Sequence, residues 1–168
     1  LFMKARFLLS LLLTAFIIGC SDKGSNPTVK AENFAGITYT DIGGNINGTI
    51  DTADWKLQTG TPPYKSQKIL ESSGEIPDSF EVKPAYPNPT DGLITLTFAF
   101  PVAVEYDIRI IDKYRHVLAR YDSTADAGVM TINWAPVDSL GHALPADIYR
   151  VVYQFNSLWG KGDIQVVE

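Results

Sequence analysis

From Phe80 onward the apolar residues fall at every second position. Ile94, Leu96, Phe98 and Phe100 alternate with Thr95, Thr97 and Ala99, and Val104, Tyr106, Ile108 and Ile110 alternate with Glu105, Asp107 and Arg109. Met130, Ile132 and Trp134 repeat the pattern, as do Tyr149, Val151, Tyr153 and Phe155. A period of two belongs to the β-strand, whose successive side chains point to opposite faces. Val117–Tyr121 follows a polar turn at Asp112–Arg115, and Ile164–Val166 closes the series. With an edge strand near Phe80–Lys83 the count is seven short strands. Their turn signals recur about every eight to twelve residues, as in all-β sandwiches. The alternation predicts one face on the core and one in water. Trp134, the largest inward residue, is expected in that core. The region shows no long helical pattern.

The stiff stretch Pro84-Ala85-Tyr86-Pro87-Asn88-Pro89-Thr90-Asp91-Gly92 stands just ahead of the first long strand. Proline fixes φ and pushes the preceding residue toward extended backbone. The stretch is therefore read as the first corner of the sandwich, and the domain is taken as residues 80–168.

Upstream, residues 33–58 predict a small β-hairpin-rich segment, with turn signals at Gly43-Gly44 and Asn47-Gly48. Asp54–Leu57 reads as a strand or helical turn that seats Trp55. Residues 59–79, rich in Pro, Gly and Ser, read as a linker. Within 33–58, aligning Gly48 with the sharp-turn glycine of a calcium loop sets Asn45, Asn47, Asp51 and Asp54 at ligand-bearing positions. Asp41 is then two residues early for the first ligand, and flanking helices are not evident. The same Asn and Gly residues also suit hairpin turns. Calcium is thus a possible ligand, and a calcium-dependent adhesion module one alternative function.

The N-terminus carries an address. Met3 is read as the start, Lys4 and Arg6 supply positive charge, and Phe7–Ile18 is a twelve-residue apolar run. A membrane-spanning helix needs roughly 20 residues, whereas a signal-peptide core is this short. Cys20 is the only cysteine, so no internal disulfide can form. Ile17-Ile18-Gly19-Cys20 resembles the lipobox of bacterial lipoproteins. That resemblance implies cleavage after a 1–19 signal peptide, diacylglycerol on Cys20, and an anchor in the cell envelope, at the outer membrane, with the exposed face open. Residues 20–32 then read as a polar tether.

A formal net charge of -5 with no basic patch excludes a nucleic-acid partner of the ordinary kind. The chemistry of an enzyme is also missing. His116 and His142 are the two histidines; His142 lies near Ser139 and Asp138, but no nucleophile elbow accompanies them. Ser139 and Asp138 are read as turn residues, and Gly160-Lys161-Gly162 as a short turn, not a phosphate loop. Trp159, near a turn and followed by Gly160, is the aromatic read as nearest to exposure, with edge packing preferred to a role as a contact surface. No catalytic residue, metabolite site or small-molecule substrate is assigned.

Tyr86-Pro87-Asn88-Pro89, followed by Ile94–Phe98 and Pro101, resembles the opening of a C-terminal Ig-like module. That module occurs in flagellar hook-capping proteins and in type IX secretion sorting domains. The likeness continues in order through Val104–Asp112, Ala127–Trp134, Asp138–Gly141 and Leu144–Arg150, with Trp134 and Tyr149 at motif positions. It implies an Ig-like, fibronectin III-like fold over residues 80–168. The chain departs from the pattern at Arg115, where the family often has Gly, and at Ala135-Pro136 and Asp147. The function expected is a non-enzymatic structural or protein-interaction module, partnered by another envelope or surface protein. A type IX cargo whose C-terminal domain is the sorting signal is the alternative.

Overall fold

The computed structural model describes residues 29–34, 36–60, 62–63 and 79–168. Cys20, the signal segment, most of the tether and most of the 59–79 linker lie outside them. Seven strands form: β1 (Glu81–Tyr86), β2 (Ile94–Phe100), β3 (Val104–Ile111), β4 (Val117–Ala125), β5 (Gly128–Trp134), β6 (Asp147–Phe155) and β7 (Leu158–Val166). They make a three-stranded sheet, β1-β2-β5, and a four-stranded sheet, β4-β3-β6-β7. All pairings within both sheets are antiparallel, and no helix occurs among the described residues. The fold is an all-β sandwich.

Alternation builds the core. Register sets Ile94 beside Trp134, Leu96 beside Ile132 and Phe98 beside Met130 on the inner face of the first sheet. Ile108, Ile110, Tyr149, Val151, Tyr153, Phe155 and Ile164 face them from the second. At one end Phe80, Phe98, Phe100 and Phe155 interlock, with ring centroids 5.0 to 5.5 Å apart. Trp134 is buried and meets Tyr149 edge-on.

The proline stretch divides between a strand and a corner. Pro84 lies inside β1, an edge strand with a register shift between Lys83 and Tyr86; an edge is where a sheet tolerates proline. Pro87 to Leu93 turns the chain into β2, and the Tyr86-Pro87 and Asn88-Pro89 peptide bonds are both cis.

Three expectations need correction. Gly160-Lys161-Gly162 is not a turn: β7 begins at Leu158 and runs straight through it. The outer face of β6 is not in water, because Arg150, Val152 and Gln154 are buried as well as the inward residues. The described residues of 33–58 form no strand; the pairing seen among them is by isolated bridges, Thr40 with Ile46 and Asn88, and Gln58 with Trp159. Burial of Arg150, the close packing at Gly160 and Gly162, and the lack of a separate hairpin share one reason. The N-terminal segment is not a separate hairpin unit but lies against the sandwich. Phe34, Ile37 and Trp55 are buried there, and Trp55 belongs to the main core cluster.

Candidate functional site

The most organised polar region is the seam between the N-terminal segment, the proline corner and β7. A strand at a sheet edge presents unpaired N–H and C=O groups. On β7 these groups are taken up one after another. Trp159 exchanges both backbone bonds with Gln58 (2.7 and 3.0 Å), and the Lys161 carbonyl accepts from Trp55 N–H at 2.7 Å. Asp163 N–H donates to Asp54 Oδ2 at 2.9 Å. The Asp163 carbonyl accepts from Asn88 Nδ2 at 3.0 Å, and Gln165 N–H donates to Asn88 Oδ1 at 2.9 Å. Thr90 completes the row through Gln165 O and Val167 N–H.

Asn88, the middle of the family-type Tyr86-Pro87-Asn88-Pro89 motif, is the hub. It is fully buried. Its second amide hydrogen goes to Thr38 O at 3.1 Å, and its backbone pairs with Thr40 in both directions. The corner thus holds its asparagine between two stretches far apart in sequence. Tyr149, another motif residue, donates its hydroxyl to Pro145 O at 2.7 Å.

Arg150 and Asp163 face each other on β6 and β7. They form a buried two-pronged ion pair, with both N···O distances 2.7 Å. Glu32 approaches Arg150 Nη1 at 3.3 Å, and the guanidinium sits 4.1 Å from the Phe34 ring centre. The alternating pattern puts Arg150 and Asp163 on an outward face; nothing in the local sequence signals their burial, which residues 32–34 and Asp54 complete from afar.

Asp54 is the electrostatic anomaly of the seam. Burial pushes its carboxyl up to about 6, with help from the Asp163 charge and partial opposition from the Asp163 N–H. Its Oδ1 has no hydrogen-bond partner among the described residues, and Lys161 Nζ stands 3.8 Å away. Tyr153, buried beneath, has its one hydroxyl hydrogen shared between Lys56 O and Lys161 O, each 3.2 Å away, and burial raises its hydroxyl well above its ordinary range.

The residues aligned with a calcium loop have separate local roles. Asp41 accepts from the Gly43 and Asn45 backbones and from Asn45 Nδ2, and the Asn45 side chain chiefly holds its carboxyl below the usual range. Asp51 accepts from Ala53 N–H, and Asp54 faces β7. Asn47 N–H pairs with Tyr39 O. Among the described residues no three acidic, histidine or cysteine side chains gather as a metal site.

The Asp41 turn occurs three times. Asp112 and Asp138 each accept, through Oδ1, from the backbone N–H two and four residues on, and through Oδ2 meet His116 and His142 Nδ1 at 2.8 and 3.1 Å. The fourth residue of each turn has positive φ: Gly44 at 80°, Arg115 at 66° and Gly141 at 85°. Arg115 therefore stands where the backbone favours glycine. The histidines close turns, as Asn45 does in the first, and Ser139 meets neither in any bond. Trp159 is half-buried at the β7 edge, its enclosed Nε1 without a partner among the described residues, which agrees with edge packing; among the same residues Tyr114 and Tyr39 are the exposed aromatics. The most exposed large apolar side chains are Ile42, Leu140 and Val129. No helix among the described residues is long and apolar enough to cross a membrane.

Compared with known proteins, the chain matches no family model, no curated protein and no solved structure.

Proposed function

We propose that the chain is a non-enzymatic lipoprotein of the cell envelope, anchored in the outer membrane through acyl chains on Cys20. Its sandwich is an Ig-like structural and protein-interaction module. The observation that carries this reading is the sequence of the N-terminus: a basic start, a short apolar run and Gly19 directly before the sole cysteine. A run of that length suits a cleaved signal core, and two or more acyl chains give a stable anchor where one does not. The Ig-like reading is supported by the division into a three-stranded and a four-stranded sheet. It is further supported by the Tyr149 hydroxyl bonded back to the chain four residues upstream.

A type IX sorting domain is the second reading, favoured by the Tyr86–Pro89 corner. Against a detachable signal stands the seam itself. Removing the sandwich from residues 32–58 would uncover the β7 edge and empty the place of Trp55. A resident module is therefore preferred.

Mass spectrometry of the mature N-terminus from cells, with proteolysis of whole cells, tests the anchor. A fragment beginning at diacylated Cys20 is expected. An unmodified Cys20 thiol, or a retained leader, would sink the lipoprotein reading. Fusing residues 29–168, which keep the shared core whole and lack Cys20, behind an exported reporter separates the two readings: passage of the reporter across the outer membrane points to a sorting signal, retention in the periplasm to a resident module.

A further inference from the structure

Of the four sheet edges, the described residues cover two and leave two uncovered. The β7 edge is bonded along its length, as described above. The β1 edge carries Pro84, and the Ala85 carbonyl is taken by Thr40 Oγ1 at 2.7 Å. By contrast, no backbone group of residues 118–125 in β4 or of β5 bonds to a described residue outside its own sheet. A long uncovered edge is a template for another strand.

Between the two bare edges, β4 is the longer and is self-complementary in charge. Arg120 and Asp122 both lie on the outer face; Arg120 Nη2 reaches Asp107 of β3 at 3.1 Å and Asp122 at 3.4 Å, while Asp122 stands in register opposite Asp107. They remain 44% and 58% exposed. If a second β4 is laid antiparallel with Tyr121 at the centre, Arg120 falls opposite Asp122 of the other copy, and Asp122 opposite the other Arg120. A two-fold axis perpendicular to the sheet keeps both pairs on the outer face. Opposite charges at facing positions favour antiparallel pairing, and like charges oppose it. Edge-to-edge contact of this kind is closed by symmetry and does not propagate.

We propose that β4 is a self-association edge. Two copies of the chain pair antiparallel about Tyr121, joining their four-stranded sheets into one continuous sheet. The proposal names a partner for the interaction module and in that sense rests on the reading above. An anchor at Cys20 raises the local concentration of copies, but the pairing does not need it.

The test uses the full chain with Cys20→Ser, so that lipid plays no part. Sedimentation velocity across a concentration series is expected to show a monomer–dimer equilibrium. Hydrogen exchange in residues 118–124 should slow as dimer forms, while β5 stays unchanged. Asp122→Arg sets Arg opposite Arg and should weaken the dimer at least about tenfold. Arg120→Asp combined with Asp122→Arg restores opposite charges and should return the dimer to within about threefold of the parent. Circular dichroism checks that each variant remains folded. A chain monomeric at every concentration overturns the proposal, as does a dimer indifferent to Asp122→Arg, a double variant no better than the single, or protection gained at β5 instead. None of these outcomes bears on the anchor, which is read separately at Cys20.

Discussion

Asn88 joins three parts of the molecule through one side chain. Replacing it with Ala leaves Thr38 O, Asp163 O and Gln165 N–H without their buried partners. Orphaning buried polar groups costs about 1–3 kcal/mol each before water relieves part of it. Asn88→Ala should therefore lower unfolding free energy by roughly 3 kcal/mol in urea denaturation. A loss below about 1 kcal/mol would mean that the corner holds without it. Asp54 gives a prediction of opposite character. Its folded value of about 6 lies above the ordinary 3.8, so the folded state binds the proton more tightly. Its favourable contribution is full below pH ~4 and is lost as pH rises through ~6. The size is at most about 3 kcal/mol, and solvent screening brings it lower. Asp54→Asn should flatten this segment of the stability–pH curve, and an unchanged slope between pH 4 and 7 would count against the buried carboxylate. The proline motif was legible in the sequence as a corner; the burial of its asparagine was not, because the partners lie far along the chain.

At the scale of elements, two glycines explain why β7 was hard to read. A Cβ on Gly160 would collide with the Lys56 carbonyl and the Tyr153 ring, and one on Gly162 with the Trp55 indole. Glycine inside a strand marks such close approaches. Taken locally, Gly-Lys-Gly is a turn signal; taken with Trp55, it is the floor of a packing site. Gly162→Ala should lift Trp55 off the strand and destabilise by about 2 kcal/mol. The Trp55 emission, isolated in a background of Trp134→Phe and Trp159→Phe, should shift to the red. An unshifted spectrum would mean that the indole does not rest on that strand. In β2 (Ile94–Phe100) and β3 (Val104–Ile111) the inward series Ile94, Leu96, Phe98, Phe100 and Val104, Ile108, Ile110 is buried as the alternation predicts, while their outer faces are partly covered, with Thr97 buried.

At the scale of the whole molecule, the N-terminal segment and the sandwich share a core, so they should unfold together. Urea transitions followed at Trp55 and at Trp134, each isolated by replacing the other two tryptophans with Phe, should coincide in midpoint. An earlier transition at Trp55 would show a segment that loosens on its own. Period-two alternation by itself determined the all-β class and most of the seven strands, because burial on one face imposes that period wherever a strand forms. Turn residues marked the corners for the same local reason. Tertiary structure alone decided the covering of β7, the burial of Arg150 with Asp163, and the place of Trp55. Each depends on residues from opposite ends of the chain meeting across a sheet edge, and no local pattern encodes that meeting.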